Sequence, residues 1–193
     1  MDARHATTGF DAPTLPRHRF TVADVLAMQA AGVIRDGQVE LLGGELVTMA
    51  AKKNDHEIIK NDLVAWLIRN LPHHLRVAVE STLYLDDANA PGPDILVYPR
   101  AIPPEEVRGS DVVLLVEVAT ESLRQDLGFK ADLYARHGVS LYWVVDASLT
   151  QAHVHADPLP ASGSWSRIAI CGQAEQLAVP ASEATVSLAS LLA

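Results

Sequence analysis

The chain has 193 residues, of which 49 % are apolar and 20 % charged, with a formal net charge of −9. That length buries a substantial core, and the negative charge argues against a sequence-independent grip on nucleic acid, which takes clustered Lys and Arg for the phosphates. No apolar run reaches the roughly 18–20 residues that span a bilayer, the N-terminus MDARHATTGFDAPTLPRHRF has no hydrophobic signal core, and the lone Cys171 excludes an intrachain disulfide and a cysteine zinc cage. The expected setting is reducing and cytoplasmic, with no membrane contact. If nucleic acid is a partner, contact is local, with a metal ion screening an acidic site.

Residues 1–18 are polar, carry two prolines and show no periodicity, which predicts a flexible arm ahead of a single domain at 19–193. TVADVLAMQAAG then predicts a short helix, with Thr21 and Asp24 as a capping box and Gly32 as its stop. VELL and ELVTM around Gly43-Gly44 predict a β-hairpin. A second helix is expected from Asn54 or Asp55, with Ile59, Leu63, Trp66, Leu67 and Leu71 on one stripe and Pro72 ending it. LRVAVESTLYL reads as a long strand, PDILVYP as a short one, and DVVLLVEV as a strand covered on both faces. A helix over about 124–137, ended by Gly138, precedes the buried strand SLYWVVD. QAHVHA, SWSRIAIC and ATVSL predict short strands at one edge. This order predicts an α/β fold: a mixed central sheet flanked by helices, an N-terminal helix and hairpin, and extra C-terminal edge strands.

Glu117 interrupts the apolar run Leu114–Val118. A buried, unpaired carboxylate is costly by several kcal/mol, so Glu117 either reaches solvent at the sheet's edge or binds a cation at the C-terminal end of a central strand. Asp94 opens the strand DILVY after Pro93. Alone it reads as a turn aspartate; with Glu117 it makes two acids at strand ends that converge on a divalent ion with oxygen ligands, Mg²⁺ or Mn²⁺. Lys130 stands four residues after Asp126 and four before Tyr134. It forms a surface ion pair with Asp126, or its ammonium reaches Glu117 to orient a water or stabilise charge on a phosphate.

In order, VELLGGEL, DH, PGPDILVY, LLVEVATES and KADLYARHGVSLYWVVD resemble the Uma-two family of restriction-endonuclease-like proteins, within the PD-(D/E)XK nuclease superfamily. The resemblance covers about Arg19 to Asp157. It implies a four-stranded mixed core sheet, metal-binding acids at Asp94 and Glu117 with the Val118 backbone carbonyl, Mg²⁺ (or Mn²⁺) as cofactor, and a homodimer. The general motif carries a lysine two residues after the second acid, where this chain has Ala119; the family pattern makes Lys130, on the following helix, its substitute. Glu40 falls where the family has an acid, as a further ligand or a partner for Lys130, or else as a solvated strand residue beside Glu45. His56 matches a family position at a helix start, contacting a phosphate or water or serving only as a plain helix residue; Asp126 is a further candidate and Glu80 a weaker one.

His153 and His155 share a strand face but lack a third ligand, which predicts exposed histidines. His73-His74 read as loop, Ser122 lacks a serine-elbow motif, and no phosphate-binding glycine loop occurs. The expected function is metal-dependent hydrolysis of phosphodiester bonds in DNA by an endonuclease. The alternative is a catalytically weak or inactive nuclease-fold module that binds nucleic acid or a protein partner, which Ala119 and the net charge of −9 favour.

Overall fold

The computed structural model describes residues 17–35, 37, 39–49 and 53–192; the expected arm lies outside them except for Arg17 and His18. Helix α1 (Val22–Ala30) begins where Thr21 and Asp24 satisfy each other's backbone: the Thr21 hydroxyl accepts from the Asp24 N–H at 3.2 Å, and the Asp24 carboxylate from the Thr21 N–H at 2.8 Å. Gly43 and Gly44, at φ +58° and +76°, turn strand β1 (Val39–Leu42) into β2 (Glu45–Thr48). Residues with a Cβ resist that conformation. The hairpin is its own two-stranded sheet, tied to the segment before β4 by an Ala90 N–H to Leu41 carbonyl bond of 2.8 Å.

Helix α2 (Asn54–Asn70) leads into a six-stranded sheet in the order β3-β4-β5-β6-β7-β8. Its strands are β3 (Leu75–Val79), β4 (Ile95–Pro99), β5 (Leu114–Ala119), β6 (Leu141–Asp146), β7 (Gln151–Leu159) and β8 (Ser164–Cys171). Only β5 and β6 run parallel, joined by the helical crossover that a parallel pair demands. One sheet face, with Ile95, Val97, Val116 and Val118, packs against Ile59, Leu63 and Leu67 of α2. The C-terminal Leu177, Val179, Val186 and Leu188 complete that same core. The other face, with Leu96, Leu115 and Val144, packs against Leu133, Tyr134 and Ala135. The alternation along β5 sends Val116 and Val118 to the first face and Leu115 and Ala119 to the second, so Glu117 faces the crossover helix.

Several elements differ from expectation. The long strand at 75–85 stops at Val79, and Glu80 turns away with φ +50°. Its partner β4 starts only at Ile95, after Pro91 and Pro93, which have no N–H for a ladder. β5 starts at Leu114 because Gly109–Asp111 forms a 3₁₀ turn pressed against the next helix; a Cβ on Gly109 would collide with the His137 carbonyl oxygen. The helix expected over 124–137 is α3 (Leu123–Gln125), a π turn (Asp126–Lys130) and α4 (Ala131–Arg136). ATVSL does not join the main sheet: β10 (Thr185–Val186) pairs with β9 (Leu177–Ala178) in a separate ribbon, ahead of α5 (Leu188–Leu191). His155 is not exposed. At 4 % accessibility it packs against the rings of Tyr142 and Trp165, because the crossover helix covers that part of β7. His73-His74 lie in a turn, as read.

Candidate active site

The two acids meet because β4 and β5 are antiparallel neighbours. Ile95 pairs with Val116, so one step further Asp94 stands across from Glu117. The Asp94 Oδ2 accepts the Val118 N–H at 2.8 Å and faces His56 Nε2 at 3.0 Å. A strand residue's N–H and C=O point to the same side, so the Val118 carbonyl shares the β4 side with Asp94. His56, buried in the first turn of α2, also faces Glu57 Oε1 through Nδ1 at 3.2 Å.

The other half of the site comes from the crossover. The π turn rotates Asp126 and Lys130 inward together; such turns interrupt the usual register and recur at functional sites. The Tyr142 hydroxyl donates to the Asp126 carbonyl at 3.1 Å and the Trp165 indole to the Ala131 carbonyl at 3.0 Å, which anchors this irregular helix to β6 and β8. Lys130 Nζ donates to Glu117 Oε1 at 3.0 Å and to Glu40 Oε1 at 2.9 Å. Asp126 Oδ1 is more distant, 3.8 Å from Nζ. The expected surface ion pair Asp126–Lys130 is therefore a buried one, since α4 and the hairpin cover both groups. Glu40 is likewise not a solvated strand residue: it is 6 % exposed, and its Oε1 also accepts the Gly92 N–H at 2.8 Å.

A cleft of about 220 Å³ collects Glu40, His56, Asp94, Glu117, Asp126 and Lys130 in its walls. Glu80 stays outside it and pairs with Lys60. Two residues were not singled out from the sequence. Tyr134 donates its hydroxyl to Glu117 Oε1 at 3.0 Å, and Tyr142 holds the π turn. The spacing of Tyr134, one helical turn after Lys130, is a signal that pointed to the first; nothing local points to the second.

Three buried carboxylates, Glu40, Glu117 and Asp126, surround the buried Lys130 ammonium. Burial pushes the Glu117 carboxyl up to about 8, with Asp126, Asp94 and Glu40 adding to the rise and Lys130 opposing it. Burial also raises Asp126. For Lys130, burial works against the charge, but Glu117, Glu40 and Asp126 together outweigh it and hold its pKa well above the ordinary lysine value. Burial and the Glu117 charge push the Tyr134 hydroxyl far up, so it stays a donor. The ammonium is therefore charged, and burial favours the protonated form of Glu117.

The donor set suits a hard cation. Asp94, Glu117 and the Val118 carbonyl offer oxygen only, and Mg²⁺ is commonly held by one or two carboxylates with water in its other positions. Among the described residues no three His, Cys, Asp or Glu side chains are arranged to hold a metal ion. Ala119 is fully buried beneath the crossover helix, and that same helix delivers Lys130 to Glu117.

No helix among the described residues is long and apolar enough to cross a membrane. No curated protein matches the sequence significantly. A solved structure described as "a putative nuclease belonging to DUF820 from Anabaena variabilis ATCC 29413" is similar in fold: TM-score 0.72, 16 % identity, covering 89 % of this chain and 97 % of that one. The family model described as "Uma2: Putative restriction endonuclease" matches residues 22–190, beyond the Asp157 limit read from the motifs, and the chain belongs to that family.

Proposed function

We propose that the protein is a metal-dependent endonuclease that hydrolyses phosphodiester bonds in DNA, with Asp94, Glu117 and the Val118 carbonyl holding Mg²⁺ or Mn²⁺. The observation that carries this reading is the convergence of an acid from each of two neighbouring strands with an ammonium from a third element, 3.0 Å from Glu117. When bound, the ion would supply an acidified water and charge neutralisation at the phosphate. Lys130 would then orient the attacking water or offset charge on the phosphoryl oxygens. Glu40 holds Lys130 and the Gly92 backbone, His56 fixes Asp94, and Tyr134 orients Glu117. The reading also includes a homodimer, which sedimentation tests.

The test is incubation with supercoiled plasmid and with single-stranded DNA in Mg²⁺, Mn²⁺ or EDTA, beside Asp94→Ala, Glu117→Ala and Lys130→Ala. Wild type is expected to cut only with metal, and each variant to lose roughly 100-fold or more. Cutting that survives the acid variants would move the chemistry elsewhere. No cutting on any substrate would favour the binding-module alternative, for which Ala119 at the motif-lysine position is the supporting observation.

A further inference from the structure

A second cavity, of about 850 Å³, opens beside the acid cleft between α1, the hairpin and the segment after β3. Thr48, Met49 and Gly92 line both cavities. A Cβ placed on Gly92 would sit 3.9 Å from Glu40 Oε1 and 4.0 Å from the Met49 methyl, in ordinary contact with the residues at this junction. The groove is of the size that holds small organic groups, which fill pockets of about 300–1,000 Å³.

Its chemistry selects among the parts of a polynucleotide. Among its described lining residues there is no Lys or Arg; of its two carboxylates Glu105 is exposed and Glu80 is paired with Lys60. The described lining offers a phosphate no cationic side chain of its own, whereas a neutral, flat group with polar edges needs none. Half-buried Tyr84 is the aromatic ring of the described wall, set with Val25 and Leu26 of α1, and Ser81 and Thr82 carry hydroxyls there. A ring face beside hydrogen-bonding side chains is how unpaired bases are held. Bases inside a duplex cannot enter, and a second strand's phosphates would find no cationic side chain in the described wall.

We propose that this groove seats the unpaired base or bases next to the bond cut in the acid cleft, so that the substrate class is single-stranded or locally unpaired polynucleotide. The inference rests on the nuclease reading for the cleavage, but its own readout is binding. Fluorescence anisotropy is measured with a short labelled DNA strand, the RNA strand of the same sequence and the corresponding DNA duplex, with Ca²⁺ as the screening ion. At least one single strand is expected to bind roughly tenfold or more tightly than the duplex, and the preference between the two strands names the sugar. Tyr84→Ala is expected to weaken that binding by about fivefold or more, whereas Tyr84→Phe, which keeps the ring, stays near wild type. Leu26→Glu, at a half-exposed position whose substitution spares the core, is expected to weaken it as well. A duplex bound as tightly as either strand, no binding of any probe, or groove variants that bind like wild type would overturn the proposal whatever the cleavage result. Strands that bind and are released by Tyr84→Ala, in a protein that cuts nothing, would sink the nuclease reading and leave the groove assignment standing.

Discussion

Two of the described lysines lie buried, and their surroundings differ. Lys60, 3 % exposed, meets Glu57 and Glu80, whose side chains are 40 % and 45 % exposed. Lys130, 6 % exposed, meets Glu40, Glu117 and Asp126, all buried. Water relieves the carboxylates around Lys60, which makes that cluster a clasp between α2 and the end of β3. Around Lys130 water cannot help, and burial favours the protonated form of Glu117. A buried ammonium whose counter-charges are buried and outnumber it is a candidate for a functional site.

The largest test of that contrast is removal of each ammonium. Lys130→Met is expected to destabilise the fold by about 3–5 kcal/mol, the usual consequence of leaving buried charge uncompensated. Lys60→Met is expected to lose no more than about 1 kcal/mol, because its partners are half in solvent. Urea melts read both, and equal losses would erase the distinction. Metal sharpens it next: Mn²⁺ should raise the melting temperature of wild type and of Glu57→Gln, and should not do so for Asp94→Asn.

Smaller effects follow. Tyr134→Phe removes a hydrogen bond to Glu117, with an expected loss of about 1–2 kcal/mol and a several-fold drop in metal-dependent cutting. The smallest effect is on pH. Burial, and then the His153 charge, pull the His155 pKa below its ordinary 6.5. The folded state therefore binds fewer protons than the unfolded one, and the stability this group contributes is present above pH 6.5 and lost as pH falls through the lowered value. His155→Phe, which keeps a ring against Tyr142, should show a shallower fall in melting temperature from pH 6.5 downward than wild type.

Much of the architecture was legible because it is written locally. The capping box at Thr21 and Asp24, the paired glycines of the hairpin and the α2 stripe each concern residues within one turn or one strand of each other. The buried strands announced themselves by apolar runs. Glu117 stood out because a carboxylate in such a run needs a reason to be there, whereas Asp94 alone reads as a turn aspartate and gained weight only beside it. The 75–85 segment misled because apolar alternation says nothing about whether a partner strand is present, and none pairs past Val79 in the described sheet.

By itself, then, the sequence determined the element order, the two acids at strand ends and the family pattern that pairs them with Lys130. Only the tertiary structure decided that Asp126 and Lys130 turn inward, because a π turn changes which side of the helix a residue occupies while leaving its spacing unchanged. It also decided that Glu40, 77 positions before Glu117 in the chain, shares one ammonium with it. Burial and charge balance are properties of what surrounds a group. Those neighbours arrive from the hairpin, the crossover and two strands at once, which no local pattern records.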